Sequence, residues 1–153
     1  MWERVIGGLV AAGVTAGLLV LGTSASEAAH TKEAPNKHKI VYQVDDADKV
    51  KFVLGNIQNH IKGVGGWERI EALELVVFGP ALKSFVTKGM DPEVKQMLER
   101  LQAQGVVLGA CGNTMKGFNI TLDQLPEGAS PLPQGGVVRI MELQEQGYAY
   151  IRP

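Results

Sequence analysis

At 153 residues, with 45% apolar and 20% charged side chains, the chain has the composition of a globular protein and the length of one domain. Its 15 basic and 16 acidic residues leave a net charge of −1, without the clustered basic excess that binding to nucleic-acid phosphates requires. The chain holds one cysteine, Cys111, so no disulfide can form within it.

The first 28 residues differ from the rest. A short head, MWER, precedes an uncharged apolar run from Val5 to Leu21, and GTSASEAAH follows. Ser26 and Ala28 are small residues three and one before a cut after Ala28, with a cut after Ala25 as the alternative. This is the pattern of a signal peptide over 1–28, favoured over an uncleaved membrane anchor. Either reading takes the remaining chain out of the cytoplasm, to a periplasmic or secreted location, and a membrane is involved only if the segment stays attached. Removing 1–28 takes away Arg4, Glu3 and Glu27, which leaves 14 basic and 14 acidic residues. Residues 29–37, in which HTKEAPNK runs from His30 to Lys37, are polar, contain Pro35 and read as a flexible tether. The domain proper is expected over 38–153.

Lys39–Val44, KIVYQV, is rich in β-branched and aromatic residues and predicts a buried strand. DDAD follows, with Asp45 available as the N-cap of a helix whose stripe is Val50, Val53, Leu54, Ile57, Ile61 and Val64. Gly63–Gly66 ends it. Leu73–Gly79 is a second strand, after which Pro80 stands where another helix can start. In DPEVKQMLERLQAQG, Asp91 caps, Pro92 takes the first helical position, Val94, Met97, Leu98 and Leu101 form the stripe, and Gly105 closes the helix. Val106–Ala110 is then a third strand. GGVVRIMELQEQG reads as a helix stopped at Gly147, and Tyr148–Arg152 as a last short strand.

Strands alternating with helices predict an α/β fold, a three-layer α/β/α sandwich on a mainly parallel sheet of four or five strands. In such sheets the functional crevice lies beyond the carboxyl ends of the strands. Cys111 follows the third predicted strand directly, on that edge. Asn113 or Thr114 can cap a short helix through Met115–Phe118, which brings N–H groups toward the sulfur and favours thiolate over thiol. Gly112 would leave the backbone open to a ligand or partner. The alternative is that Cys111 is one more small buried apolar residue. Both stay open at this stage.

Other constellations are thin. His30, His38 and His60 lack metal-ligand spacing, and no metal or cofactor is expected. His60 adjoins the apolar stripe of its helix and reads as a boundary residue. GVGGW follows a helix and lacks the strand-to-helix setting of a phosphate loop, and DDAD lacks the full oxygen pattern of a calcium loop. Lys116 is a candidate to hold an anion beside Cys111, or else a solvated side chain.

The stretches KIVYQVDDADKVKFVLGNIQNHI, ELVVFGPALKSFV, GVVLGACGNTM and VVRIMELQEQGYAYIRP together resemble the DsrE/DsrF-like family, and its small exported members in particular. The resemblance spans about residues 38–153. It implies a three-layer α/β/α domain that assembles into homo-oligomers or hetero-oligomers. It also implies that the cysteine at the position of Cys111 carries sulfur as a persulfide, exchanging it with thiol or persulfide donor and acceptor proteins. The well-described relatives are cytoplasmic, so with an export segment only the role of Cys111 carries over, with Gly112, Asn113 and Thr114 as its pocket support. The expected function is an exported sulfur carrier, and the alternative is a non-catalytic oligomeric binding module of the same fold.

Overall fold

The computed structural model describes residues 36–153. The expected signal peptide and most of the tether, with His30, lie outside the described residues. The chain runs β1 (His38–Val44), α1 (Val50–Gly63), β2 (Ile70–Val77), α2 (Pro92–Gln104), β3 (Val107–Cys111), α3 (Gly112–Phe118), β4 (Ala129–Leu132), α4 (Gly136–Glu145) and β5 (Ala149–Ile151), with short 3-10 turns between some of them. The five strands form one sheet in the order β4-β3-β2-β1-β5, and every neighbouring pair is parallel. The α/β sandwich read from the sequence is therefore the fold, with five strands in its sheet.

Alternation along the strands divides the core between two faces. Ile40, Tyr42, Val44, Leu73, Leu75, Val77, Leu108 and Ala110 pack with α1 and α2 on one face. Val41 and Val76 point the other way and meet Ile140 and Leu143 of α4. The stripe of α1 falls as its spacing predicts, with Val50, Val53, Leu54, Ile57 and Ile61 buried. In α2, Asp91 accepts the N–H groups of Glu93 and Val94, and Gly105 leaves the helix at φ 114. Each fully buried leucine of this core contributes about 1.5–3 kcal/mol relative to an exposed one.

Three local expectations are corrected. Asp46, not Asp45, is the cap: it accepts the Asp48 N–H and starts a 3-10 turn over Ala47–Lys49, after which α1 begins. Asp45 instead holds Arg152, with both carboxylate oxygens within 3.1 Å of Nη2. The segment after Pro80 is a 3-10 helix, Gly79–Phe85, rather than an α-helix. Gly79 turns the chain at φ 59, and the Asp45 carbonyl accepts the Ala81 N–H, which ties the start of this turn to the end of β1. β4 is the strand that the pattern does not announce. Its sequence, ASPL, contains Pro131, which has no N–H to donate to a ladder, and β4 occupies the sheet edge where one side is unpaired.

Candidate functional site

Cys111 is the last residue of β3, one position inside the strand relative to the sequence reading, and pairs with Leu132 at the end of β4. The chain leaves β3 into α3, whose Met115 joins the core on the α1 and α2 face. It leaves β4 into α4, which covers the opposite face. Neighbouring strands whose following helices depart to opposite faces open a crevice beyond their carboxyl ends. The sulfur lies in that crevice.

Cys111 is itself the N-cap residue of α3, and neither Asn113 nor Thr114 caps with its side chain as expected, because the helix already starts at Gly112. From the other side, the N–H of Gly136, the first residue of α4, donates to Cys111 Sγ at 3.2 Å. Burial pushes the thiol up, but the Thr114 hydroxyl and the N–H groups of Thr114, Gly136 and Asn113 stabilise the thiolate and together bring it below its ordinary value. The Thr114 oxygen accepts the Gly79 N–H at 3.0 Å, which leaves its own proton free to be donated to the sulfur.

The side chain is 5% exposed, and that surface opens into a cleft of about 140 Å³ whose walls include Phe78, Asn113, Gln134, Gly135 and Val138. No carboxylate, imidazole or amine lines the cleft. What favours the thiolate here is therefore hydrogen bonding to the sulfur, with no side-chain base in the lining of the cleft. The size of the cleft admits a few heavy atoms.

The pocket residues proposed from the sequence divide. Asn113 and Thr114 line the sulfur cleft and are among the groups that favour the thiolate, although Cys111 makes no side-chain cap hydrogen bond to its own helix. Gly112 does not: it is buried, and a Cβ there would stand 2.8 Å from the Leu132 carbonyl oxygen and 3.1 Å from Pro133 Cα. Its missing side chain lets the β3–α3 turn close on the end of β4, and Gly112 lines a separate groove beside α3 rather than the sulfur cleft. Lys116 lines this groove of about 560 Å³ as well, with Met115 and Asn119, and is no part of the sulfur cleft. His60 bonds Tyr42, whose hydroxyl is 2.8 Å from Nδ1, and His38 starts β1, so neither approaches the cleft walls. Among the described residues no group of three or more His, Cys, Asp or Glu side chains is arranged to hold a metal ion. No helix of the described residues is long and apolar enough to cross a membrane.

Gly135, Gly136 and Phe78 were not singled out from the sequence. A glycine pair just before an amphipathic run was the available signal for a tightly packed helix start. A Cβ on Gly136 would stand 2.8 Å from Phe78 Cδ1, 3.2 Å from Val76 Cγ1 and 3.4 Å from Cys111 Cβ, so only glycine brings this N–H so close to the sulfur. Gly135 has φ 96, where a side chain is strained.

The chain itself has relatives among known proteins. A family model, the DsrE/DsrF-like family, matches residues 21–153. None of the curated proteins compared matches significantly. Among solved structures, the chain is similar to the protein of unknown function MTH1491 from Methanobacterium thermoautotrophicum, with 27% identity, 76% of this chain and 100% of that one covered, and a TM-score of 0.66. It is also similar to the ychN protein from E. coli, with 20% identity, coverage of 76% and 99%, and a TM-score of 0.61. A conserved protein of unknown function from Bacteroides thetaiotaomicron, BT1422, matches at 17% identity, coverage of 75% and 94%, and a TM-score of 0.57. The last two similarities concern the fold alone.

Proposed function

The chain belongs to the DsrE/DsrF-like family, a family of sulfur-relay type, and on that basis we propose that it is an exported sulfur carrier whose working group is the Cys111 thiolate. The thiolate attacks the outer sulfur of a persulfide or polysulfide donor. A Cys111 S–S bond forms, the donor S–S bond breaks, and the electron pair leaves with the donor as its thiolate. Discharge repeats the step in reverse: an acceptor thiolate attacks the outer sulfur and releases Cys111 as thiolate. No external oxidant or reductant enters either step.

The observation that carries this reading is the Gly136 N–H that donates at 3.2 Å to a sulfur opening into a cleft. Donors that stabilise a thiolate also stabilise it as a leaving group during discharge. The shallow exposure of Cys111 favours a second reading, a non-catalytic oligomeric binding module. Donor and acceptor thiol proteins, self-assembly, and export by residues 1–28 belong to the proposal.

Intact mass after incubation with polysulfide, with Cys111→Ser alongside, tests it. The native protein should gain sulfur in steps of about 32 Da that a thiol reductant removes, since a persulfide sulfur is open to thiolate attack. A native protein that gains nothing, with a thiol that resists alkylation until unfolding, would replace the carrier with the binding module.

A further inference from the structure

Glu74 is the one charged side chain buried among the described residues, at 5% exposure. It lies on β2 between Leu73 and Leu75, and alternation turns it to the face that carries α4. There Arg139 meets it with a two-pronged contact: Nε is 3.1 and 3.2 Å from the two carboxylate oxygens, and Nη2 is 2.8 Å from Oε2. Well-packed apolar residues hold such a layer at least as well as a buried ion pair, so stability alone does not account for it. What the forked pair adds is direction, because it fixes the guanidinium plane against the carboxylate.

The direction leads to the sulfur. Arg139 belongs to the first turn of α4, and its own N–H bonds the Gly135 carbonyl at 3.1 Å. Glu74 reaches across to β3, since a Cβ on Gly109 would stand 2.8 Å from Oε1, and Gly109 is two residues before Cys111. The start of α4 rests on the same strand as Glu74, through Gly136 against Val76. The pair therefore ties together the strand that carries Cys111, its neighbour, and the helix turn that donates to the sulfur.

We propose that the Glu74–Arg139 pair is a positioning device for Cys111, fixing the rotation and height of the first turn of α4 so that the Gly136 N–H stays on the sulfur. It rests on Cys111 being the working group. The other titratable groups around the pair are Glu142, with Oε2 3.8 Å from Arg139 Nη1, and Tyr148, which lies on the same face. No titratable side chain other than Cys111 itself lines the cleft.

The test is the titration of the Cys111 thiol in Glu74→Gln and Arg139→Lys. It is followed by thiolate ultraviolet absorbance, with Cys111→Ser subtracted, and by alkylation rate against pH. If the pair positions the helix, the midpoint rises in both variants, in Glu74→Gln by about half to one unit, which is a three- to tenfold loss of thiolate below the midpoint. A role through charge alone gives different signs. Glu74→Gln would leave the Arg139 cation unopposed and lower the midpoint, while Arg139→Lys, which keeps the charge, would leave it in place. An unmoved or lowered midpoint in a Glu74→Gln protein with native circular dichroism overturns the proposal. Should that variant not fold, Arg139→Lys decides, and an unmoved midpoint there overturns it. Neither readout requires sulfur transfer, so the carrier can fail by mass while this positioning stands, and the reverse.

Discussion

The backbone N–H of Gly136 donates to the sulfur of Cys111 at 3.2 Å, joining residues 25 positions apart. The contact links the start of one helix to the end of a strand that another helix follows, which makes the sulfur sensitive to how both are seated. Gly136→Ala should disturb it directly. The added Cβ meets Phe78 at 2.8 Å and Val76 at 3.2 Å, and relieving that overlap costs about 1–3 kcal/mol of stability. The helix start must lift, so the thiol midpoint should rise as well. Urea unfolding and alkylation against pH measure the two effects; a variant of native stability and native midpoint would show that the helix start is loosely seated.

Cys111 should also make stability depend on pH. The folded thiol lies below its ordinary value, through donors that outweigh burial, whereas the unfolded thiol titrates near about 8.5. Between the two the unfolded chain holds more protons, so stability rises with pH across that window, levels off above it, and is lost as pH falls through the folded value. The difference in unfolding free energy between native protein and Cys111→Ser should follow this curve. A pH-independent difference would mean that the donors do not favour the thiolate in solution.

His60 should act at lower pH. Its imidazole is held below the usual histidine range, first by burial and then by repulsion from His38. Burial also raises the Tyr42 hydroxyl, which stays protonated and shares a hydrogen bond of 2.8 Å with Nδ1. The unfolded chain takes up the proton first as pH falls through about 6.5, and stability drops from there down through the lowered folded value. His60→Gln should remove most of this loss. Denaturant melts near neutral pH and about two units lower compare the two proteins, and equal acid sensitivity would count against it.

Gly112→Ala tests the reading of Gly112 as a packing residue. Its Cβ would press on the Leu132 carbonyl oxygen at 2.8 Å, backbone against which no side chain can swing away. The expected loss is about 1–3 kcal/mol, with the β3–β4 edge opening first. Hydrogen exchange of the β4 amides together with thermal unfolding would show it. An unchanged exchange pattern would show that the β3–α3 turn is not tightly packed at this position.

The sequence by itself determined the elements whose causes are local. The stripe of α1, the Asp91 cap with Pro92 behind it, the Gly105 stop and the strand before Cys111 all follow from neighbours a few residues apart, and the family resemblance followed from their order. The tertiary structure decided what depends on distant partners. ASPL becomes β4 because an edge place on the sheet tolerates Pro131, and Asp45, one residue before the cap, finds a partner in Arg152 at the far end of the chain. The sulfur cleft shows the same division. Asn113 and Thr114, next to Cys111 in the chain, could be read as its donors, while Gly136 and the Glu74–Arg139 pair could not. Hydrogen bonds reach about 3 Å in space whatever the separation in sequence, so a donor brought in by folding leaves no local periodicity to read.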